Sequence, residues 1–313
     1  MTAQTLSPPA GAPIGTRRSR GTRSSETRPA WLFLLPFVVL YLVFIIGPTI
    51  YGFVMSFFST SLVKSGLGAS AGWANYREEL HSNLFWSSLW HTVLFTLLTT
   101  VPLVVLAFIF ALLANRARRG KALYRLAFFL PYILPSATIA LIWAFIYTPS
   151  LGILDAALSK LGYSTPPAWL GDPTWAMRSV AIATIWWTIG FNFVLYLAGL
   201  QDIPRELYEA ASIDGASPWQ QIRSITIPLL NRTTTLVIVL QVIASLKVFD
   251  QIYIMTSGGP GQVTQPVLGF IYNTAFTDFR VGAAAAGSVL FFVLILAVSA
   301  VWLTITRRQE RQA

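Results

Sequence analysis

Long apolar runs alternate with polar stretches along this chain. Six runs reach the length that a helix needs to cross a hydrocarbon layer, about 20 residues: 31–58, 89–114, 123–147, 176–200, 229–255 and 282–305. Each is predicted to be one transmembrane helix, because a helix pairs every backbone group within its own segment. Prolines at 36, 48, 102, 131 and 135 fall within or near these runs, where neighbouring helices can satisfy the carbonyls they free. Residues 1–30, rich in Pro, Ser, Gly, Thr and Arg, read as a disordered basic tail, and 307–313 as a second tail. The first run is too long for the apolar part of a signal peptide and lacks a small-residue cleavage site, so it is read as an uncleaved span. The expected organisation is one six-span domain over 31–306 between two tails.

One interruption, 201–228, is charged as well as polar. Residues 204–211 carry good helix formers, with Glu206 and Glu209 in the early turns, where a carboxylate suits the helix dipole. Asp214-Gly215 reads as a helix stop, since glycine takes the left-handed conformation without steric cost. Ser217-Pro218-Trp219-Gln220 reads as a new start: Ser217 as N-cap, Pro218 at the first helical position, Gln220 closing a capping box. The prediction is a rigid helix–Gly–helix hairpin.

A chain 55% hydrophobic and 11% charged, with mean hydropathy +0.62, is not a soluble domain. The absence of cysteine removes disulfides and thiolate metal sites from consideration. The net charge of +10 would suit nucleic acid, but its placement beside apolar runs argues against that partner. With six spans, one side holds the arginines at 17, 18, 20, 23 and 28, then Arg116, Arg118, Arg119, Lys121 and Arg125. It also holds Arg205, Arg223, Arg232, Arg307, Arg308 and Arg311. The other holds Lys64, Arg77, Lys160, Arg178 and Arg280. Sixteen against five puts both termini and the 201–228 hairpin in the cytoplasm.

The hairpin resembles the EAA loop of binding-protein-dependent ABC importer permeases. Glu209-Ala210-Ala211 is followed after three residues by Gly215, and after nine more by Ile225-x-Ile227-Pro228. The resemblance extends to 129–136 with Ala140-Leu-Ile-Trp143, similar to the third span of carbohydrate importers, and to Gly258-Gly259-Pro260 with Thr264. It covers nearly everything from residue 31 onward and is closest to the first-permease class of maltose-type and glycerol-phosphate-type importers. Asn231-Arg232 depart from it, standing where the family often has a proline. The fold so implied is all-α, the type I ABC importer permease fold, in the cell membrane of a prokaryote. The implied function is passage of a carbohydrate from an extracytoplasmic substrate-binding protein to the cytoplasm, beside a second, different permease. Two copies of a cytoplasmic ATPase subunit would drive it through Glu209, Ala210, Ala211, Asp214, Gly215, Ile225 and Pro228, with Glu209 pairing with a basic residue of the ATPase. No Gly-x-x-x-x-Gly-Lys-(Ser/Thr) run is present, so ATP is expected on those partners, with no cofactor, metal or catalytic residue on this chain.

The substrate path is expected where polar groups lie deep in spans four and five. Thr184, Thr188, Phe191 and Asn192 share a stripe of the fourth run. The fifth offers Gln241, Ser245, Lys247 and Asp250. Lys247 and Asp250, three apart, are predicted on one face of one helix, either neutralising each other or facing a cavity. A Thr or Ser is otherwise most often bonded to its own helix. Trp186, Trp187 and Tyr253 suit sugar faces, although membrane interfaces claim many such aromatics. Alternative readings are the same architecture importing a glycerol-phosphate ester or other polyol, and an ion-coupled secondary transporter. The latter would show paired inverted halves with midplane carboxylates, which are not evident. His81 and His91 lack accompanying acids, so an enzyme is not favoured.

Overall fold

The structure, a computed structural model, describes residues 27–116, 120–163 and 165–310. Most of the tail expected over 1–30, and 311–313 of that expected over 307–313, lie outside these residues. The chain divides between Tyr51 and Gly52 into two compact units.

Helix α1 (Thr27–Tyr41) begins inside the stretch expected to be a tail and continues through a π-helical turn at Leu42–Ile46 into α2 (Gly47–Met55). The π turn has a local cause. Pro48 cannot donate to the carbonyl four residues back, and the preceding N–H, of Gly47, bonds five residues back to the Leu42 carbonyl. Phe33, Phe37, Val43 and Phe44 are all exposed.

The second unit continues with α3 (Ala74–His81), α4 (Asn83–Arg116), α5 (Lys121–Ile133), α6 (Ser136–Ile146), α7 (Ile153–Lys160) and α8 (Ala176–Gln201). The hairpin follows as α9 (Arg205–Ile213), α10 (Pro218–Gln221), a π turn at Ile222–Thr226 and α11 (Ile227–Leu229). Then come α12 (Asn231–Leu246), α13 (Asp250–Thr256), α14 (Val267–Tyr272), a π turn at Asn273–Thr277 and α15 (Val281–Glu310), which runs into the second expected tail. The described residues contain no strand beyond an isolated bridge between Phe58 and Ser70. Four helices are long and apolar enough to cross a membrane, and two bent pairs raise the number to six.

Two spans differ from the expectation of one helix each. The third is broken at Leu134-Pro135, where its halves bend by 96°. Pro135 has no N–H for the Pro131 carbonyl; Leu134, pushed to extended backbone as residues before proline are, donates to that carbonyl instead. The fifth ends at Leu246 rather than running to 255, and the chain turns through Lys247, Val248 and Phe249 before α13 begins at Asp250. No proline or glycine marks this break. The charges do: Lys247 closes one helix and Asp250 opens the next, each at the end its sign favours. At its start, after Leu230, α12 is also bent by 64° from the preceding hairpin helix.

The interior is built on α4 against α8. Leu103, Ala107, Ala111 and Ala114 recur along one stripe of α4 and are buried with Phe193, Tyr196, Leu197 and Leu200 of α8. Small residues at such a seam let helices approach closely, which is how helices associate in lipid. Above this seam α4 carries a threonine ladder. Thr92, Thr96 and Thr99 are buried and donate to the carbonyls of Ser88, Thr92 and Phe95 at 2.9, 2.8 and 2.8 Å. Helix α5 crosses closely over α8 at Gly190, where a Cβ would stand 1.9 Å from the Phe128 carbonyl oxygen.

Candidate functional site

Both span breaks open onto one cavity. Its volume is about 300 Å³, and α8 supplies Thr184, Trp187, Thr188 and Phe191 to its wall. Gln241, Ser245, Lys247 and Asp250 come from the end of α12 and the start of α13. Thus seven of the eight residues expected on the substrate path line a single space. Asn192 does not. It is 1% exposed, and its Nδ2 donates to Gln241 Oε1 at 3.1 Å. From Gln241 the chain of hydrogen bonds continues to Ser245 Oγ at 3.0 Å and on to Thr99 Oγ1 at 3.0 Å. Asn192 therefore fixes the Gln241 amide and ties α8, α12 and α4 together behind the wall.

Of the two expectations for Lys247 and Asp250, mutual neutralisation is not what the structure holds; both face the cavity. They lie on different helical segments and form no ion pair; the one ion pair among the described residues joins Arg280 and Glu78. Asp250 Oδ2 instead accepts from Ser136 Oγ at 2.6 Å, across the two broken spans. Lys247 is exposed within the cavity, and among the described residues these two are the only charged ones lining it, so their formal charges cancel.

Sequence reasoning missed part of the wall: Tyr132, Ser136, Phe249 and Gln251. Tyr132 and Ser136 sit beside Pro131 and Pro135, so the proline pair was their signal. Tyr132 stacks on Phe191 with centroids 5.2 Å apart. Trp187 Nε1 donates to the Leu134 carbonyl at 3.2 Å, satisfying an acceptor that the break leaves without a helical partner. Trp186 points elsewhere, packing edge-on to Trp143, and Tyr253 stacks on Phe249. His81 and His91 each contact a backbone carbonyl, of Arg77 and Gln265.

In the hairpin, α9 ends in a Schellman turn. Ala216 N–H donates to the Ala211 carbonyl at 2.9 Å and Gly215 N–H to that of Ser212 at 3.1 Å, with Gly215 at φ +79°. Ser217 caps α10 and exchanges both capping-box bonds with Gln220. Two cross-links hold the arms: Gln221 Nε2 to Ser212 Oγ at 2.9 Å, and Tyr208 Oη with Thr226 Oγ1 at 2.9 Å. Glu209, Ala210 and Asp214 are exposed, Ala211 and Ile225 half-buried, and Pro228 exposed. Ile213 and Trp219 are 87% and 68% exposed, the largest apolar exposures on the hairpin, beside exposed Leu207 and Ile227.

Residues 103–311 match the family model described as binding-protein-dependent transport system inner membrane component. The trehalose/maltose transport system permease protein of Thermococcus litoralis is 38% identical over 90% of this chain and 95% of its own length. The sn-glycerol-3-phosphate transport system permease protein of Agrobacterium fabrum is 33% identical over 86% of this chain and 92% of its own. A bacterial ABC transporter importing the acidic polysaccharide alginate has a chain that superimposes with a TM-score of 0.79 at 24% identity, covering 90% of this chain and 96% of that one, a likeness of fold. Spans, hairpin and family match agree: this chain belongs to the binding-protein-dependent inner membrane permeases, the membrane-spanning components of ABC importers.

Proposed function

We propose that this chain is one of two different permeases in an ATP-driven importer of an uncharged carbohydrate, and that the cavity at the two span breaks is its share of the substrate path. The lining of that cavity carries the reading. Aromatic faces from Tyr132, Trp187, Phe191 and Phe249 stand beside hydroxyl and amide groups from Ser136, Thr184, Thr188, Gln241 and Ser245. A sugar presents the same mixture, apolar ring faces rimmed by hydroxyls, and a few placed polar groups in an apolar wall set orientation. The Lys247 and Asp250 charges cancel. The glycerol-phosphate reading stands second, favoured by the unpaired Lys247 ammonium and by the 33% identical relative.

The hairpin supports the coupling role. Its bonded turn makes it a stiff lever between α8 and α12, and exposed Ile213, Trp219 and Glu209 form a surface fit for a cytoplasmic ATPase subunit, two copies of which would serve the permease pair. Closure of those subunits would tilt α8 and α12 as rigid bodies, the motion alternating access requires. ATP is bound on those partners in this reading; the chain itself holds no cofactor and catalyses no reaction. The arginine and lysine distribution supports a cytoplasmic hairpin and termini, with an external binding protein delivering substrate from the other side.

The test is uptake by vesicles carrying the assembled importer. Lys247→Met should raise the substrate concentration for half-maximal uptake by roughly tenfold or more, the worth of a hydrogen bond to a charged group, without reducing assembled complex. An unchanged half-saturation would remove Lys247 from the path. A variant that keeps disaccharide uptake and loses only glycerol phosphate would establish the second reading.

A further inference from the structure

Residues 239 and 241 are two positions apart on α12, so about 200° of helix turn separates them. The cavity occupies the Gln241 side. On the Val239 side, α12 and α15 leave a groove of about 400 Å³. Its lining on α12 is a stripe from Arg232 through Leu236 and Val239 to Leu246, and α15 adds Val298, Ser299 and Trp302.

Three properties of this groove bear on its occupant. Its length, from residue 232 to 246, is about 21 Å at 1.5 Å per residue, half the ~40–45 Å of a bilayer with its headgroups. Its α12 wall is polar at one end: from Leu236 to Leu246 every α12 residue lining it is apolar, while Arg232, exposed and in no ion pair among the described residues, stands at the other end. That charged end adjoins the polar hairpin, because Arg232 is the second residue of α12. It therefore lies where the span leaves the hydrocarbon layer. One guanidinium followed by one leaflet of aliphatic wall is the complement of an amphiphile with an anionic head.

We propose that this groove binds an anionic phospholipid, its phosphodiester on Arg232 and an acyl chain along Leu236, Val239 and Leu246. A basic residue near the bilayer surface is worth about 1 kcal/mol toward an anionic lipid, close to fivefold in affinity.

The experiment titrates the full chain, purified in the assembly it forms in its own membrane, with palmitoyl-oleoyl phosphatidylglycerol and counts adducts by native mass spectrometry. One saturable adduct is expected, weakened about fivefold by Arg232→Gln, kept by Arg232→Lys, and poorly replaced by phosphatidylcholine. Val239→Trp, which fills the aliphatic end, should abolish it. Equal binding of the two lipids, or an adduct untouched by Arg232→Gln, overturns the proposal. The chain has no cysteine, so a photoreactive label on Val239→Cys reports the occupant directly: lipid capture supports the site, and capture of the second permease shows that a protein helix fills it. The readout is lipid retention rather than uptake, so it fails or succeeds independently of the carbohydrate reading.

Discussion

Gly215 offers the cleanest perturbation of the hairpin. A Cβ at this position would meet nothing within 4 Å, so a substitution acts through backbone conformation alone. The residue sits at φ +79°, where an L-residue loses roughly 1–2 kcal/mol, and a β-branched one resists most. That strain would fall on the turn made by the bonds from Asp214, Gly215 and Ala216 N–H to the carbonyls of Ala210, Ser212 and Ala211. Opening the turn relieves it, so in Gly215→Val the open fraction should rise about 5- to 30-fold. Hydrogen exchange on the assembled protein reads this directly: peptides from 205–229 should exchange faster by that factor, while α4 peptides stay as they are. Gly215→Asn, which tolerates the left-handed region, should remain within about twofold of the unsubstituted protein. Unaltered exchange in Gly215→Val, or equal damage from Asn and Val, would show that the turn is not the element that keeps the lever stiff.

Three further outcomes are expected. Glu209→Gln, at an exposed position, should leave the thermal midpoint nearly unchanged while separating ATP hydrolysis from uptake in vesicles; normal uptake would deny it a coupling role. Gly190→Ala must push α5 back by more than an ångström from the 1.9 Å approach, costing roughly 1–3 kcal/mol, so its thermal midpoint should drop by several degrees; an unshifted midpoint would mean that α5 is free to move. Glu79 on α3 is buried with Oε2 unpartnered, and burial first, then the Glu78 charge, raises its pKa from 4.5 to about 7 against the pull of Arg280. The folded protein thus holds this proton more tightly than the unfolded chain, and stability should fall as pH rises from about 4.5 to 7. Glu79→Gln should flatten the slope, and the same slope in that variant would place its origin elsewhere.

What could be read beforehand followed how local each signal was. The hairpin was legible almost to the atom, because a Schellman glycine and a capping box are decided within six residues. The apolar runs gave the spans, since length in a bilayer is a strong constraint. The third-span break is half-visible in Pro131 and Pro135: each proline alone is tolerable in a span, and only their four-residue spacing, which sets one proline against the other's carbonyl, marks a break. The fifth-span break had only the order of two charges, Lys247 before Asp250, and apolar periodicity runs straight through it. Spacing alone therefore puts Lys247 and Asp250 on one face of one helix, whereas Asp250 belongs with Ser136, 114 residues away. Asn192 shows the same limit. A helical stripe names the residues of one side without saying which is wall and which is brace.

The two breaks also decide where water can stand. The backbone at both breaks stays largely bonded within the chain, Leu134 and Lys247 N–H to the Pro131 and Ala244 carbonyls and the Leu134 carbonyl to Trp187, but the exposed Lys247 and Asp250 side chains give the cavity polar groups and room for water. A water-filled column through a membrane would discharge its ion gradients. Along α8 and α12, between that cavity and the hairpin, lie Phe193, Tyr196, Leu197, Leu200 and Val237, all buried in one cluster with Leu103. That dry cluster is electrical insulation. A permease that thinned it, by replacing Phe193 with a small residue for instance, would leak protons between transport cycles and run down the energised membrane it is embedded in.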